Sequence, residues 1–311
     1  MSAWLGRDGQ AERIVQRLMH QQHSIATAIS VVGVGLHSGK RVDLCLKPAP
    51  VDAGIVYRRV DLQPAVDIPA RATSVGDTRL ASTLEGAAGA SVQTVEHLMS
   101  ACYGLGVDNL LVEVNAAELP ILDGSAAAFV FLLESAGVQK QAKPRQYIRV
   151  LRTVEVREGL GKSLKWARLS PHRLGFKLAF EIAFDHPVVQ ASGQRAEYTI
   201  ENGAYGQDVA RARTFCFTRD VEAMRSTGLA LGGGLDNAIV MGDYSVLNGG
   251  DLRYGDEFAK HKLLDAIGDL YLAGHPILGS YEAFRSGHGM NNQLLRALFA
   301  DPENYELSFL R

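Results

Sequence analysis

The chain contains one helical segment with an unusual polar stripe, Asp256-Glu257-Phe258-Ala259-Lys260-His261-Lys262-Leu263-Leu264-Asp265-Ala266-Ile267-Gly268-Asp269-Leu270. Side chains four residues apart lie on one face of a helix with Cβ atoms about 5–6 Å apart, so His261, Asp265 and Asp269 form a row of one imidazole and two carboxylates. The apolar residues between them bury much of the same helix, which turns the row toward a pocket. Two of its members are suited to bind one metal ion, although an isolated H-x-x-x-D spacing is more often an ordinary hydrogen-bonded pair, by roughly two to one.

A second helical pattern offers a further ligand and a base. Its sequence is Ser91-Val92-Gln93-Thr94-Val95-Glu96-His97-Leu98-Met99-Ser100-Ala101-Cys102-Tyr103, which predicts a capped amphipathic helix over residues 91–104. His97 is the candidate third ligand, because catalytic zinc usually takes three protein ligands and one water. Adjacent helical side chains point about 100° apart, so Glu96 can reach over a water held beside His97, as a general base does. The H-E-x-x-H motif also pairs Glu with His, but here no second His follows four residues later.

A third polar feature surrounds His288 in the segment Ser286-Gly287-His288-Gly289-Met290-Asn291-Asn292. It precedes a helical pattern, so His288 is predicted on a glycine-flanked loop. Alone, such a histidine is most often of no consequence. Near a metal, however, a second imidazole can act as an acid toward a leaving group, and Asp269 can keep it protonated.

Several segments, in this order along the chain, resemble the UDP-3-O-acyl-N-acetylglucosamine deacetylases, zinc amidohydrolases that commit the lipid A pathway. The resemblance extends from about Met19 to the region of Leu298 and is most specific in the helix with one His, one Lys and two Asp. The segments that carry it are Val34-Gly35-Leu36-His37-Ser38-Gly39, Thr94-Val95-Glu96-His97-Leu98, Leu122-Asp123-Gly124-Ser125-Ala126, Arg213-Thr214-Phe215, His261 to Asp269 and Ser286-Gly287-His288.

The resemblance implies a zinc site and a set of catalytic groups around it. The implied ligands are His97, His261 and Asp265, and the implied catalytic groups are Glu96 as general base, His288 as general acid or oxyanion partner, Asp269 as the carboxylate that orients His288, and Thr214 as an oxyanion donor. The implied reaction is hydrolysis of the N-acetyl group of UDP-3-O-(3-hydroxyacyl)-N-acetylglucosamine, a small-molecule substrate, to acetate and the free amine. Iron(II), Fe2+, also suits two imidazoles and one carboxylate, because metal availability decides as much as affinity does.

Two further residues are expected to contact substrate. Lys262 lies about 100° around the helix from His261, so it is predicted to point away from the metal stripe; it is either a solvated lysine or, as the resemblance implies, a ligand of the sugar nucleotide. An aromatic residue such as Phe215 is more often core than ligand contact, but the resemblance implies that it stacks on the substrate.

The apolar stretch 221–240 around Gly232-Gly233-Gly234 has two interpretations. By resemblance it is an inserted acyl passage, and from the residues alone it is equally an amphipathic core element with a flexible loop.

The glycine-rich stretch from Gly33 to Lys40 is not a nucleotide loop. Its spacing fits neither the dinucleotide fingerprint nor the P-loop, and Arg41 stands where a magnesium-binding hydroxyl belongs. The flanking runs 29–32 and 42–46 are typical of strands, so the glycines are predicted to form a hairpin turn with His37 as a turn residue.

The coarse pattern predicts an α+β fold with two similar domains. Strands are expected before residue 75, at Asn109–Val114, and at 147–156, 164–169 and 176–182, with helices after Ser125 and after Met290. By resemblance, each domain is a sheet-and-helix layer unit and the helices meet between the sheets, a β-α-α-β sandwich. The predicted divisions are an N-terminal extension (1–18), a first domain (19–138), a linker (139–146) where charge and proline collect, and a second domain (147–311) with the acyl-passage insert and a short C-terminal tail.

Composition limits the possible partners. A net charge of −2 gives no electrostatic reason to expect nucleic-acid binding.

The cysteines bear on the cellular compartment. Cys45, Cys102 and Cys216 form no C-x-x-C pair and favour a reducing compartment without disulfides. No run of about 18 apolar residues and no signal sequence is present, so we expect a cytoplasmic protein without a membrane span. We also expect a monomer.

Two departures from the family pattern concern the site. Cys216 follows Phe215 where a glycine is usual, and Ala81 and Thr83 occupy a stretch where cysteine often occurs near the metal. A thiol at Cys216 could alter the Thr214 loop or bind soft metals. The rival interpretations are an amidohydrolase that acts on a different amide and a non-catalytic sugar-nucleotide binding protein.

Overall fold

The computed structural model describes residues 21–173 and 175–309. The extension predicted for residues 1–18 lies outside this range. Among the described residues, no helix combines the length and the apolar character needed to cross a lipid bilayer.

The secondary structure alternates strands and helices. The strands are β1 Gln21–Ile25, β2 Ile29–Val34, β3 Arg41–Pro48, β4 Ile55–Arg59, β5 Val66–Pro69, β6 Thr83–Glu85, β7 Ser91–Gln93, β8 Leu110–Val114, β9 Val138–Pro144, β10 Gln146–Val150, β11 Val154–Glu158, β12 Lys165–Ser170, β13 Phe176–Glu181, β14 Arg195–Thr199, β15 Phe215–Phe217, β16 Ile239–Met241, β17 Ile277–Phe284 and β18 Tyr305–Phe309. The α-helices are α1 Glu96–Leu105, α2 Ala127–Ala136, α3 Pro187–Gln190, α4 Tyr205–Asp208, α5 Thr218–Ser226, α6 Glu257–Tyr271 and α7 His288–Ala300. Short 3-10 turns occur at Ala72–Ser74, Ala87–Gly89, Gly161–Ser163, Ile200–Asn202 and Pro302–Asn304.

The two halves of the chain contain the same five-stranded arrangement. In the first sheet the order is β2-β3-β8-β4-β5, with β4 and β8 parallel and the other pairs antiparallel. In the second sheet β11, β12, β17, β13 and β14 lie side by side in the corresponding order, with β13 and β17 parallel. One helix precedes the central strand in each half and one follows it: α1 and α2 around β8, α6 and α7 around β17. This repeat confirms the predicted fold of two similar α+β units, although no repeat is visible in the sequence.

The helices of both halves pack against each other between the two sheets. The contact between α1 and α6 is the most extensive between any two helices, and α6 also packs on β13 and β14 while α2 packs on β2. Side chains of both helices, such as Leu98, Leu264 and Ile267, are fully buried in one hydrophobic core that both sheets share. The layers therefore follow the expected β-α-α-β order.

Gly268 permits the close approach of α6 to α1. A Cβ atom at this position would lie 2.0 Å from the backbone oxygen of Glu96 and 3.0 Å from the backbone nitrogen of Ser100. Both obstacles are main-chain atoms that no side-chain rotation can remove. The absence of a side chain here therefore sets the distance between the two helices that carry the candidate ligands.

Three boundaries differ from the sequence prediction. The helix predicted over residues 91–104 begins only at Glu96, because Ser91–Gln93 pairs as β7 with β6 and Thr94 takes a left-handed backbone conformation (φ 61°). His288 is not on a loop but is the first residue of α7. The strand predicted at 147–156 is two strands, β10 and β11, with different neighbours.

The segment predicted as a linker, 139–146, is mostly strand. Residues 138–144 form β9, which pairs antiparallel with β1. Most of its side chains are exposed, which explains why it lacks the apolar periodicity of a strand in the core. The predicted C-terminal tail likewise contains a strand, β18, which pairs antiparallel with β10. The exact limits of the two domains stay a prediction.

We expect Gly268→Ala to destabilise the protein, although alanine normally stabilises a helix interior by about 1 kcal/mol relative to glycine. The added methyl group meets the Glu96 carbonyl oxygen and forces the helices apart, and overpacking of this kind costs about 1–3 kcal/mol or more. Chemical denaturation monitored by circular dichroism measures the change. Gly255→Ala, two residues before the same helix and with open space around its Cβ, is the matched control. Equal stability of the two variants would contradict this account of the helix contact.

Candidate active site

Three buried side chains from both halves converge at one end of the helix contact. His97 is the second residue of α1, and His261 and Asp265 lie one turn apart on α6. Asp265 Oδ1 is 3.5 Å from His97 Nε2 and 3.4 Å from His261 Nε2. The three side chains have a ligand atom each within 4.8 Å of one another, and none is more than 4% exposed.

The chemistry of this group fits a divalent metal ion. Asp265 Oδ1 is buried and has no hydrogen-bond donor, an expensive arrangement for a carboxylate oxygen that nothing else satisfies. His261 Nδ1 lies 3.1 Å from the Ala212 carbonyl oxygen, which favours the tautomer with Nδ1 protonated and leaves the Nε2 lone pair toward Asp265. Burial lowers the pKa of His261 to about 4, so its imidazole is neutral at neutral pH. Neutral imidazole and carboxylate are the forms that bind metal.

Lys262 contacts Asp265, one of the three candidate metal ligands, instead of pointing away from them. Its Nζ lies 2.7 Å from Asp265 Oδ2, so the sequence prediction of its direction was wrong. Asp265 follows Lys262 by three residues, about one turn of the helix, so the long side chain can reach the carboxylate. Burial alone would raise the pKa of Asp265, but its electrostatic interactions with His261 and Lys262 outweigh burial and hold it well below its ordinary value. Lys262 thus uses one carboxylate oxygen and leaves Oδ1 free.

Glu96, the first residue of α1, lies beside the three candidate metal ligands. It is 3% exposed, and its Oε2 accepts a hydrogen bond from the backbone N–H of Ser82 at 3.0 Å. Its Oε1 lies 3.9 Å from His288 Nε2. Burial raises the pKa of Glu96, which makes its carboxylate a stronger proton acceptor than an exposed one.

His288 and Asp269 form a buried ion pair. The Nδ1 atom of His288 is 2.9 Å from Asp269 Oδ2, the partner predicted from sequence. Burial alone would lower the pKa of His288, but the negative charges of Asp269 and then Glu96 outweigh burial and raise it to about 9. The imidazole is therefore a cation at neutral pH, and its Nε2–H faces Glu96.

Sequence reasoning missed two residues that hold Asp269. The Ser82 hydroxyl donates to Asp269 Oδ1 at 2.6 Å, and the Asn291 amide donates to Oδ2 at 2.8 Å. Asn291 is fixed in turn by the hydroxyls of Tyr281 and Ser286, which both donate to its Oδ1. Asn291 lies in the polar segment that drew attention to His288. Ser82 lies between Ala81 and Thr83, which the sequence analysis noted as departures from the family pattern, but Ser82 itself has no distinctive sequence feature.

A cavity of about 630 Å³ opens onto these groups. Glu96, His97 and His261 lie in its wall together with His288, and basic side chains line a further part of it. Those basic side chains are Arg79, Lys165 and Arg285. Its size is within the usual range for a small-molecule site, about 300–1,000 Å³.

Thr214 lies in the cavity wall, and the Leu122–Ala126 motif holds it there. The backbone N–H of Thr214 donates to the Gly124 carbonyl oxygen at 2.7 Å. Gly124 has φ 77°, and a Cβ on it would lie 1.9 Å from the backbone oxygen of Asn237, so only glycine fits. This contact brings the two sequence motifs together in the fold.

Phe215 belongs both to the core and to the cavity. Its ring packs edge-to-face on Phe258 at a centroid distance of 5.1 Å and lies 6.2 Å from the ring of His261. The half-buried side chain also lines the cavity. The contact with Phe258 agrees with the interpretation of Phe215 as a core residue, whereas stacking on the substrate stays a prediction.

His37 is a turn residue, as predicted, but a buried one. It follows β2 in the hairpin to β3, and its backbone N–H donates to Glu118 Oε1 at 2.7 Å. The side chain is 5% exposed and lines the cavity, and neither ring nitrogen has a hydrogen-bond partner among the described residues.

A second cavity of about 450 Å³ adjoins the first, and the two share part of their lining, including Leu36, His37 and Phe215. Its remaining walls come largely from the stretch 221–240, including Val221, Leu235 and Ala238. Cys216 lines both cavities but is not part of the group with metal-ligand geometry found among the described residues.

Comparison with known protein families agrees with the motifs and the geometry. The model of the LpxC family, described as UDP-3-O-acyl N-acetylglycosamine deacetylase, matches residues 22–300 of the 311. The match covers both five-stranded units, the two helices that carry the candidate ligands, and the cavity. The chain therefore belongs to the LpxC family of UDP-3-O-acyl N-acetylglycosamine deacetylases.

Proposed function

We propose that this deacetylase removes the N-acetyl group of UDP-3-O-(3-hydroxyacyl)-N-acetylglucosamine by zinc-dependent hydrolysis. The observation that carries the proposal is the free, buried Oδ1 of Asp265 between two imidazole Nε2 atoms, next to a carboxylate and an imidazolium that face each other. These are the groups that hydrolysis of an amide needs: a metal site, a base and an acid.

His97, His261 and Asp265 would hold the metal, with zinc as the first candidate and iron(II) as the alternative in cells. A bound ion would act as a Lewis acid that polarises the amide carbonyl and lowers the pKa of water. Because Lys262 occupies only Oδ2 of Asp265, the ligand oxygen is available without breaking that ion pair.

Glu96 is the proposed general base. Its carboxylate is fixed by the Ser82 N–H through one oxygen, while the other faces the cavity side near His288. Its raised pKa brings its basicity closer to that of water activated in the site, which makes proton transfer more effective. Glu96 takes the proton of water as its oxygen attacks the acetamide carbon.

His288 is the proposed general acid, held protonated and oriented by Asp269. Its Nε2–H donates to the developing charge and then transfers the proton to the departing amine nitrogen. Thr214 is proposed to donate its hydroxyl to the oxyanion from the cavity wall.

The cavities suggest how the rest of the substrate binds. The basic wall of the first cavity suits a diphosphate, with Lys262 and the Phe215 ring as proposed contacts of the sugar nucleotide. The apolar second cavity suits the acyl chain. We also propose a cytoplasmic location, because cysteines without a C-x-x-C pair favour a reducing compartment.

The first test is acetate release from UDP-3-O-(3-hydroxyacyl)-N-acetylglucosamine by the purified protein. We expect turnover that disappears on chelation and returns with zinc or iron(II), because the three buried ligands provide the Lewis acid site. Metal content is measured in parallel by mass spectrometry. Absence of turnover in every metal state would contradict the proposal and direct attention to another amide.

Glu96→Gln is the control that separates metal binding from proton transfer. We expect its turnover to fall by about 10²–10⁴-fold with metal content unchanged, since the amide keeps the shape but not the basicity. His261→Ala, by contrast, removes a ligand and with it the metal. Full turnover in Glu96→Gln would eliminate Glu96 as the base.

The activity of the wild-type protein is expected to fall at alkaline pH as His288 loses its proton. The pKa of His288 is raised to about 9, and the positive charge of a bound metal ion opposes protonation, so the fall lies at or below that value. A profile of kcat against pH measures it. His288→Gln, which cannot titrate, should be much slower and lack this alkaline limb; a limb that survives in the variant belongs to another group.

The second cavity generates a prediction about acyl length. Val221 lies on α5, a helix without buried residues, and its side chain faces this cavity, so Val221→Trp narrows the space without disturbing the core. We expect kcat/KM for a long-chain substrate to fall at least about tenfold, because each buried CH₂ contributes about 0.8 kcal/mol. A substrate with a two-carbon acyl group should be affected much less. Ala223→Trp, exposed on the same helix and outside the cavity, is the control; equal losses in both variants would exclude an acyl site here.

A further inference from the structure

Ser82 contacts both halves of the catalytic machinery. Its backbone N–H donates to Glu96 Oε2 at 3.0 Å, and its hydroxyl donates to Asp269 Oδ1 at 2.6 Å. Its carbonyl oxygen also accepts a hydrogen bond from the N–H of Val95, just before α1. The residue is 1% exposed and directly precedes β6, and its hydrogen bonds connect the start of α1 to the C-terminal part of α6.

We propose that Ser82 is a positioning residue that fixes the relative placement of the proton acceptor Glu96 and the proton donor His288. This inference rests on the proposed function. Glu96 is held directly, and His288 is held through Asp269. The two groups are separated by 3.9 Å between Oε1 and Nε2, so a small shift of either changes the space in which one amide bond must fit.

The hydrogen bonds of Asp269 show why the hydroxyl matters. Oδ2 receives His288 Nδ1 at 2.9 Å and the Asn291 amide at 2.8 Å, whereas Oδ1 receives only the Ser82 hydroxyl at short range and His288 Nδ1 at 3.2 Å. Without the hydroxyl, Oδ1 is a buried carboxylate oxygen with a single long contact. The carboxylate is then free to rotate toward other donors, and the imidazole that it orients moves with it.

A buried serine can also matter only for stability, and the chain offers a matched case. Ser100 is 0% exposed, its hydroxyl donates to the Leu264 carbonyl oxygen at 2.8 Å, and it lies 2.6 Å from the Tyr205 hydroxyl. Like Ser82, it connects the α1 region to α6, but its hydroxyl makes no hydrogen bond to Asp269, Glu96 or His288. Ser100→Ala therefore reports the effect of losing a buried hydroxyl without a positioning role.

The experiment compares Ser82→Ala, Ser82→Thr and Ser100→Ala in the full chain. We expect Ser82→Ala to lower kcat by about tenfold to a hundredfold, since a hydrogen bond to a charged group is lost, with KM and metal content nearly unchanged. Ser82→Thr keeps the hydroxyl and should retain most of the kcat. Ser100→Ala should lower the unfolding midpoint but leave kcat within about twofold. Equal kcat losses in the two alanine variants, or a loss in KM or metal content alone, would overturn the proposal.

A second readout does not depend on turnover. The Nδ1 proton of His288, hydrogen-bonded to Asp269, is followed by nuclear magnetic resonance in the full chain with and without zinc. Its exchange with water should be at least about tenfold faster in Ser82→Ala than in the wild type or Ser100→Ala, because the carboxylate that shields it is loosened. Unchanged exchange would reject the positioning role. If the wild-type protein releases no acetate, the proposed function fails, and the exchange rates still decide whether Ser82 fixes His288.

Discussion

The contact between α1 and α6 is the constraint on which the rest of the molecule depends. Both helices are buried on nearly all sides, so their separation is set by main-chain contact at Gly268, not by adjustable side chains. The same separation brings His97 within ligand distance of His261 and Asp265. Sheet packing, helix packing and site geometry are therefore consequences of one short distance.

The burial of several charged side chains in the site is energetically unfavourable, and local hydrogen bonds and ion pairs offset this cost. Glu96, Asp265, Asp269 and His288 are all less than 9% exposed, and burial of isolated charges is strongly unfavourable. The compensation is local: Lys262 pairs with Asp265, His288 with Asp269, and the Ser82 N–H with Glu96. Asp265 Oδ1 is the exception, a buried oxygen without a donor, and it is the atom that a metal would satisfy.

Sequence could predict features with a short range and a strong pattern. The helix that carries His261, Asp265 and Asp269 begins and ends within one residue of its prediction, because its apolar residues recur at helical spacing over a long segment. The glycine hairpin before Arg41 was predicted for a similar reason. The resemblance to a family brought His97 and His288 into the same site, which spacing alone could not do across such distances along the chain.

What sequence could not predict depends on tertiary contacts. The start of α1 was misplaced because Ser91–Gln93 suits a helix equally well until β6 pairs with it. The direction of Lys262 was wrong because angular position on a helix fixes the Cβ and not the end of a flexible side chain. Ser82 and Asn291 are common polar residues without a distinctive spacing, and their importance arises only from their distances to Asp269. The C-terminal strand β18 was read as a tail because its side chains are largely exposed.

The distribution of the metal-ligand group has a thermodynamic consequence. One member belongs to α1 in the first unit and two belong to α6 in the second, so an ion bound by all three is bound only when the units are docked. By linkage, such an ion stabilises the docked state by an amount set by its concentration relative to its dissociation constant, about 2.7 kcal/mol at a hundredfold excess. Such an ion would couple the two structural repeats through the same atoms that form the site, and its supply would then affect the stability of the whole molecule.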